Sequence, residues 1–103
     1  MKQFKETVIK ALLPQIILQE LSVGGMHGYA LISLIRRKHG VWLHASTVYP
    51  ALVKMEKQGL IQGAWQVGSR ARKVYVITNN GRKLLAQNSQ VLGVMMVEVK
   101  QSA

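Results

Sequence analysis

The fold is decided by residues 46–61, STVYPALVKMEKQGLI, and by the basic segment that follows them as far as Thr78. Apolar residues recur at helical spacing up to Gly59, a residue type that commonly ends helices. Two short segments of alternating hydrophobicity come next. They lie on either side of a turn over residues 68–72 that carries two arginines. This pattern predicts a helix that leads directly into a β-hairpin. A helix followed by such a hairpin is typical of the winged helix-turn-helix fold.

The helix in this stretch is the third of the chain, and its predicted buried residues are Val48, Ala51, Leu52 and Met55. Proline is comfortable in the first turn of a helix and kinks an interior, so Pro50 predicts a start at Ser46 or Thr47. Either hydroxyl can cap the free backbone N–H groups of the first turn.

Two helices are predicted before this stretch and one after it. The first carries an apolar stripe over residues 9–21, and Pro14 divides it into a core helix and a preceding arm. The second begins near His27, which caps or packs it, and stops at Gly40. Thr78 is expected to cap the last helix.

The predicted fold class is mainly α with a small β-hairpin, a winged helix-turn-helix followed by a C-terminal dimerisation helix. Residues 1–78 form the winged-helix DNA-binding domain with its N-terminal helical arm, and residues 79–103 form the dimerisation helix. We expect one continuous structural unit, because 103 residues suffice for one small domain and no linker is visible.

Charge is the strongest compositional signal. Lys and Arg number 14 against four acidic residues, which gives a formal net charge of +10. Self-repulsion of this size points to a polyanionic partner. Double-stranded DNA is the expected partner, and an anionic membrane surface comes second.

Catalytic and metal chemistry find no support in the sequence. It contains no cysteine and no aspartate, so His27, His39 and His44 have no partners for a mixed metal site. The four glutamates are scattered, and no nucleophile elbow or phosphate loop occurs. We therefore expect no enzyme activity, no metal site and no cofactor.

No signal peptide or membrane-spanning segment is predicted. The longest apolar run, residues 91–97, is about a third of the length that a membrane span needs. A soluble protein of the cytoplasm is expected.

Four residues of the third helix are candidate DNA contacts. A helix enters the major groove with its N-terminal residues nearest the base edges. We therefore expect Ser46, Thr47 and Tyr49 to approach bases or nearby phosphates, and Lys54 to meet phosphate. For Tyr49, a packing role is the alternative.

The hairpin turn adds three cations, Arg70, Arg72 and Lys73. Three positive charges within four residues repel one another unless an anion lies across them. We expect DNA phosphate to supply that anion, with Arg70 as the residue that would enter a minor groove.

Two tryptophans lie outside the helical stripes. Trp65 is expected to pack the sheet onto the helices. Trp42 is expected in the core as well, or alternatively in a pocket at a dimer interface.

The last helix carries more apolar residues than one small domain can bury. Closed two-fold dimers are the commonest way to cover such a surface. Apolar residues of the N-terminal arm are expected to contribute to the same interface. The predicted interface residues are Leu84, Leu85, Val91, Leu92, Met95, Met96, Val99, Phe4 and Val8.

Four blocks of the sequence, taken together, resemble the PadR family of transcriptional regulators over roughly residues 13–86. They are His27-Gly28-Tyr29, Thr47-Val48-Tyr49-Pro50-Ala51-Leu52, Glu56-x-x-Gly59-Leu60-Ile61 and Arg72-Lys73-x-Tyr75-x-Ile77-Thr78-x-x-Gly81. The resemblance implies a homodimeric winged-helix repressor whose C-terminal helix forms the dimer interface. The single helix after the hairpin is similar to the small PadR subfamily.

Two features depart from the family pattern. The hairpin loop is shorter than in many relatives, so we expect specificity to come from the major groove more than from the minor groove. No aromatic residue follows Tyr75, so the sensing of flat drugs by some members of the small subfamily is not implied here. Whether a small-molecule effector exists is left open.

The sequence therefore predicts a sequence-specific transcriptional regulator that binds double-stranded DNA as a homodimeric repressor. Two alternatives remain at this point. One is an architectural protein that coats DNA without a specific operator, and the other is a winged helix that serves as a protein-interaction module.

Overall fold

The computed structural model describes residues 2–68 and 72–102, with the side chains of residues 3–68 and 72–96. Within this part of the chain, five helices and a small three-stranded sheet confirm the predicted fold class. The elements in chain order are α1 (Lys2–Ala11), α2 (Leu13–Leu21), β1 (Met26–His27), α3 (Gly28–His39), α4 (Ala45–Lys57), β2 (Ile61–Gln66), β3 (Arg72–Ile77) and α5 (Asn79–Ser102). The third helix of the sequence analysis is α4. None of the described helices is both long and apolar enough to cross a lipid bilayer.

The N-terminal apolar stripe is divided near Pro14, as predicted. α1 ends at Ala11, and α2 begins at Leu13 with the proline in its first turn. There the missing N–H of proline costs no helical hydrogen bond. α2 then buries one face in the core, where Ile17 and Leu18 are fully covered.

α3 is capped at both ends by the predicted residues. The Ala30 N–H donates to Nδ1 of His27 at 3.3 Å, and Gly40 closes the other end in the left-handed region with a φ of 68°. β1 has no counterpart in the sequence prediction, because two residues are too few for an alternation. It pairs antiparallel with β3, where Met26 faces Tyr75, and so ties the start of α3 to the hairpin.

α4 begins at Ala45, one residue before the predicted start. Its N-cap is His44, whose carbonyl accepts from the N–H groups of Thr47 and Val48 at 2.9 and 3.1 Å. The prediction that the hydroxyl of Ser46 or Thr47 caps this helix is therefore wrong. The capping residue is the one with extended backbone just outside the helix, and that residue is His44.

Pro50 lies inside α4, so its predicted restriction to the first turn is wrong as well. The buried stripe itself is as predicted, since Val48 and Leu52 are completely covered and Met55 nearly so. This stripe anchors the helix on both sides of the exposed proline. One missing backbone hydrogen bond near the start of the helix is tolerated for that reason.

α4 ends in a Schellman motif at Gly59. The Leu60 N–H donates to the Met55 carbonyl, and the Gly59 N–H donates to the Glu56 carbonyl, both at 3.0 Å. Gly59 has a left-handed φ of 74°, which residues with a Cβ adopt only with strain. The chain therefore leaves the helix and enters β2 almost at once.

Thr78 joins the end of α4 to the start of α5. Its hydroxyl donates to the Gly59 carbonyl at 2.6 Å and accepts from the Gly81 N–H at 3.0 Å, which confirms it as the cap of α5. Its own N–H donates to the Leu60 carbonyl at 3.1 Å. Both ends of the hairpin are therefore held at one place, which we refer to as the hairpin junction.

β2 and β3 form the predicted hairpin, and β3 is the central strand of the sheet. Ile61 pairs with Ile77, and Gly63 pairs with Tyr75. Ile61 and Tyr75 are buried and join the core that the helices form. The other buried core residues are Ile9, Leu13, Ile17, Leu18, Leu21, Leu31, Ile32, Ile35, Val41, Leu43, Val48, Leu52 and Met55.

Both tryptophans lie outside this core, so the prediction that they pack inside it is wrong. Trp65 is 68% exposed although Ile61, on the same face of β2, is buried. The hairpin therefore extends beyond the helices before it reaches Trp65. Trp42 is 61% exposed, and the Arg36 guanidinium lies 4.1 Å from its ring centroid as a cation–π pair. The two neighbours of Trp42 in the chain are the residues that turn inward.

Gly81→Ala tests the hairpin junction. A Cβ at this position would collide with the carbonyl oxygen of Leu60 and would come within 2.8 Å of a side-chain carbon of Ile77. A backbone carbonyl has no rotamer by which to move away, so we expect the free energy of unfolding to fall by about 2 kcal/mol or more. Urea denaturation followed by circular dichroism, at one protein concentration, measures this loss.

Gly24→Ala is the matched control, because a Cβ there would meet nothing within 4 Å. We expect it to change the free energy of unfolding by less than about 0.5 kcal/mol. Equal stability of the two variants would contradict the role of Gly81.

Candidate nucleic-acid interface

One face of α4 lies in solvent and carries three of the predicted DNA contacts. Ser46 and Lys54 are exposed, and Thr47 is half-buried at the margin of the face. No side chain makes a capping hydrogen bond at the start of α4, so neither hydroxyl is used there. The face continues with Val53 and Lys57, which are both exposed.

Tyr49 packs onto the start of α3, which is the alternative role considered for it. A Cβ on Gly28 would come within 2.5 Å of the Tyr49 ring, so only glycine leaves room for the tip of this side chain. The Tyr29 ring lies edge-on to it, with the centroids 6.0 Å apart. Desolvation, with a smaller effect of Tyr29 and Tyr75, raises the pKa of Tyr49. Its phenol therefore stays protonated at neutral pH and can donate a hydrogen bond.

Glu56 connects the last turn of α4 to both strands of the hairpin, the wing of this fold. Its Oε1 accepts from Lys73 Nζ at 2.9 Å, and its Oε2 accepts from the Gly63 N–H at 3.0 Å. The lysine side chain lies over Gly63, where an added Cβ would collide with it. Its ammonium is 5.5 Å from the centroid of the Tyr75 ring. We refer to Glu56, Gly63 and Lys73 as the wing clamp.

The wing clamp changes the argument about the three hairpin cations. Their spacing in the sequence predicts that DNA phosphate relieves their repulsion, but Glu56 already lies against Lys73. That premise is wrong for Lys73, because its ammonium has a carboxylate partner within the protein. Its contact with DNA stays a prediction. Arg70 lies outside the described residues.

Arg72 is exposed, and its guanidinium faces an imidazole. Its Nη1 lies 3.4 Å from Nε2 of His27. A neutral imidazole has one acceptor nitrogen, and Nδ1 of His27 already accepts from the Ala30 N–H. In the tautomer that this hydrogen bond favours, Nε2 carries the proton and faces the guanidinium as a second donor. An anion that accepts from both would relieve this contact, and the arrangement therefore favours a phosphate.

An aromatic groove of about 410 Å³ opens between the start of α3, α4 and the wing. Its lining consists of Tyr29, Tyr49, Trp65, His27, Gly28, Arg72 and Lys73. Tyr29 and Trp65 are both largely exposed, and sequence reasoning assigned neither of them to the site. Tyr29 lies in the His-Gly-Tyr block, which was a usable signal. Trp65 offered none, because tryptophan is on average a well-buried residue type.

The carboxylates of the described side chains are engaged in ion pairs within the protein. The pairs are Glu6 with Lys10 at 3.7 Å, Glu20 with Lys38 at 2.7 Å and Glu56 with Lys73 at 2.9 Å. The excess positive charge is therefore carried by other residues. Lys54 and Lys57 place part of it on the exposed face of α4, and Arg72 places part of it at the groove.

The predicted dimer residues fall into two groups. Leu84 and Leu85 are half-buried against the core of their own protomer, where Gln15 of α2 donates to Ser89 Oγ of α5 at 3.1 Å. Further along α5, apolar side chains lie mostly in solvent, and Val94 joins them without having been predicted. The exposed residues are Phe4, Val91, Val94, Met95 and Met96, while Val8 and Leu92 are half-buried. The side chain of Val99 lies outside the described residues.

Known proteins share both the sequence pattern and this geometry. A model of the transcriptional regulator PadR-like family matches residues 17–87. Transcriptional regulator Rv3488 of Mycobacterium tuberculosis is 33% identical over 84 residues, which cover 81% of this chain and 78% of the relative. A PadR-like transcriptional regulator of Bacillus cereus superposes with a TM-score of 0.83 at 28% identity, over 92% of this chain and 94% of that chain. PadR of Bacillus subtilis, solved in complex with operator DNA, superposes with a TM-score of 0.68 at 28% identity, over 74% of this chain and 44% of that chain.

Glu56→Gln tests the wing clamp. The hydrogen bond from Lys73, followed by that from the Gly63 N–H, lowers the pKa of Glu56 below its ordinary value of 4.5. The same bond to Glu56 raises the pKa of Lys73 above 10.5. A carboxyl group with a lowered pKa stabilises the fold above its unfolded pKa and loses that contribution as the pH falls through its folded pKa. The raised pKa of Lys73 adds stability that is present below 10.5 and is lost above it.

We therefore expect Glu56→Gln to be less stable than the unchanged protein at pH 7, with a difference that shrinks below pH 4.5. Urea denaturation between pH 7 and pH 3 measures both proteins. Glu6→Gln is the control, because the exposed pair of Glu6 and Lys10 contributes little. A difference that stays constant over this pH range would mean that the charge of Glu56 does not hold the wing.

Proposed function

This chain belongs to the PadR-like family of transcriptional regulators, and on that premise we propose that it is a homodimeric repressor of a two-fold symmetric operator in double-stranded DNA. The observation that carries the proposal is the solvent-exposed polar start of α4, the recognition helix, with the Arg72 side of the wing across the groove from it. A helix of this size fits the major groove. The similarity to PadR of Bacillus subtilis, solved with operator DNA, supports a duplex as the partner. The cytoplasm is the proposed location.

Base contacts are assigned to the first turn of the recognition helix. Ser46 and Thr47 carry hydroxyls that the helix cap does not use, and such groups can donate to or accept from base edges. Tyr49 packs on Gly28 yet reaches the surface, so its protonated phenol can donate to a phosphate beside the bases.

Phosphate contacts are assigned to Lys54 on the helix and to Arg72 on the wing. Arg72 is supported by the donor pair that it forms with His27. Arg70 is proposed from the sequence as a third phosphate or minor-groove contact. Lys73 contributes chiefly through the wing clamp, because its ammonium is bonded to Glu56.

The dimer is proposed to form through the exposed apolar side of α5 together with α1. Val91, Met95, Met96 and Phe4 supply its centre, because more than half of each side chain is exposed in one protomer. Val8, Leu92 and Val99 extend the surface, whereas Leu84 and Leu85 support it from the core. Two recognition helices about 34 Å apart would enter successive major grooves.

An architectural role without a specific operator is the second candidate. The exposed face of α4 carries Pro50, Val53 and lysines in place of the Arg, Asn or Gln side chains that read bases in pairs of hydrogen bonds. The ratio of affinities for genomic fragments retained by the protein and for random DNA separates the two candidates. A ratio below about 10³ would favour the architectural role.

Arg72→Ala and Lys54→Ala are expected to weaken binding to every duplex. With about eight phosphate contacts per dimer, log affinity should fall against log salt with a slope of about −7. Each substitution removes two contacts per dimer and should reduce the steepness by about 2. Fluorescence anisotropy at several salt concentrations measures the slopes.

Thr47→Ala tests a base contact. It should reduce the affinity for the operator more than the affinity for random DNA, and the same anisotropy assay measures both.

Lys10→Ala is the control for these variants, because Lys10 lies on α1 and pairs with Glu6. It should leave the salt dependence unchanged. A slope near zero for the unchanged protein would contradict phosphate binding altogether.

Met95→Glu is expected to convert the dimer into monomers, because a charge would be buried at the centre of the proposed interface. Sedimentation velocity at micromolar concentration measures the change. Val23→Glu places the same charge at a residue that is 86% exposed in the α2–α3 turn and should leave the dimer intact. A Met95→Glu protein that sediments as the unchanged protein does would exclude this surface as the interface.

A further inference from the structure

The aromatic groove presents two large ring surfaces to solvent. Trp65 is 68% exposed and Tyr29 is 65% exposed, and both line the same groove. Tyr49 holds Tyr29 in place through an edge-on contact at 68° between the ring planes. Tryptophan on average buries most of its surface in folded proteins, so this degree of exposure points to a partner.

Hydrogen-bond donors border the rings. The Arg72 guanidinium faces Nε2 of His27 at 3.4 Å, and in the tautomer whose Nδ1 accepts from the Ala30 N–H both groups are donors. In the described part of the chain, the carboxylates form ion pairs with Lys10, Lys38 and Lys73. The guanidinium of Arg72 is not among their partners. The groove therefore combines stacking surfaces with a pair of donors suited to a phosphate oxygen.

A duplex can place a phosphate at these donors, but it cannot stack on the exposed rings, because the faces of its bases are stacked against one another. An unpaired nucleotide has an open base face and a phosphate close to it. Proteins bind single strands in this way, with bases stacked on aromatic side chains and cations along the backbone. The groove volume of about 410 Å³ lies within the range of about 300–1,000 Å³ that is typical of small-ligand sites.

We propose that the aromatic groove binds an unpaired nucleotide of a single-stranded nucleic acid. The base stacks on Trp65 and Tyr29, and its phosphate lies between Arg72 and His27. This activity is distinct from the binding of an operator duplex, which depends on the exposed face of the recognition helix. Because Arg72 serves both, a bound single strand competes with the duplex for this side of the protein.

The test uses Trp42→Phe, which leaves Trp65 as the only tryptophan by removing the indole fluorophore that lies outside the groove. The probes are an octamer of thymidylate, an abasic octamer of the same charge, and an octamer of uridylate. We expect both base-carrying octamers to quench Trp65 fluorescence by stacking, and the abasic octamer to leave it unchanged. The octamer that reaches half-maximal quenching at the lower concentration identifies DNA or RNA as the preferred strand.

Affinity is then measured with fluorescein-labelled octamers. Trp65→Ala and Tyr29→Ala should each bind the thymidylate octamer about tenfold more weakly or worse, from the stacking energy of one base. Val67→Ala is the matched control, because it removes an exposed apolar side chain from the same end of β2. The Trp65→Ala protein should keep its affinity for an operator-sized duplex within about twofold, since a duplex cannot stack on the ring.

Three results would overturn the proposal. They are equal affinity for the thymidylate and abasic octamers, undiminished octamer binding by Trp65→Ala, and an equal loss of duplex and octamer binding in that variant. Octamer binding by a protein that binds no duplex would leave this inference standing and would remove the proposed repressor function instead.

Discussion

The attachment of the wing to the recognition helix is the constraint on which the binding surface depends. At the hairpin junction, Thr78 bonds to Gly59 and Leu60, which lie between α4 and β2, and to the first turn of α5. A few residues away, Glu56 bonds to one backbone N–H of β2 and to a lysine of β3. Together these bonds fix the hairpin against α4 at its base and across its width. The position of Arg72 and the shape of the aromatic groove follow from that attachment.

Some of the charged side chains stabilise the fold as ion pairs, and others lie on the proposed binding surface. A carboxylate that leaves water needs a partner, and Glu20, which is the buried acid among the described side chains, has Lys38 against it with both oxygens engaged. Glu56 fixes the wing in the same way. Each of the described carboxylates lies against a lysine of α1, α3 or β3, so Lys54 and Lys57 on α4 and Arg72 at the groove have no carboxylate partner among the described side chains. Part of the net charge of +10 therefore lies on the exposed face of α4 and at the groove, where a polyanion can meet it.

The sequence-based predictions that are wrong are those in which tertiary packing overrides a preference that holds for short segments. Pro50 violates the rule for helix interiors because the buried stripe of α4 holds the helix on both sides of it. Trp65 violates the expectation of burial because the hairpin extends beyond the helices that would have covered it. The expectation that only DNA could relieve the repulsion at Lys73 considered its neighbours in the chain, whereas its carboxylate partner lies 17 residues away on α4. In each case the deciding contact is made by residues far apart in sequence.

The sequence by itself determined the helices, their glycine stops, the capping roles of His27 and Thr78, the hairpin and the excess of positive charge. These features depend on periodicity, backbone conformation and composition, which act over a few residues at a time. Only the tertiary structure decided that Lys73 has a carboxylate partner on α4 and that three aromatic side chains from α3, α4 and β2 share one groove. The physical reason is that chain reversal at Gly59 and in the hairpin brings side chains that are distant in sequence into contact. Local sequence patterns do not predict such contacts.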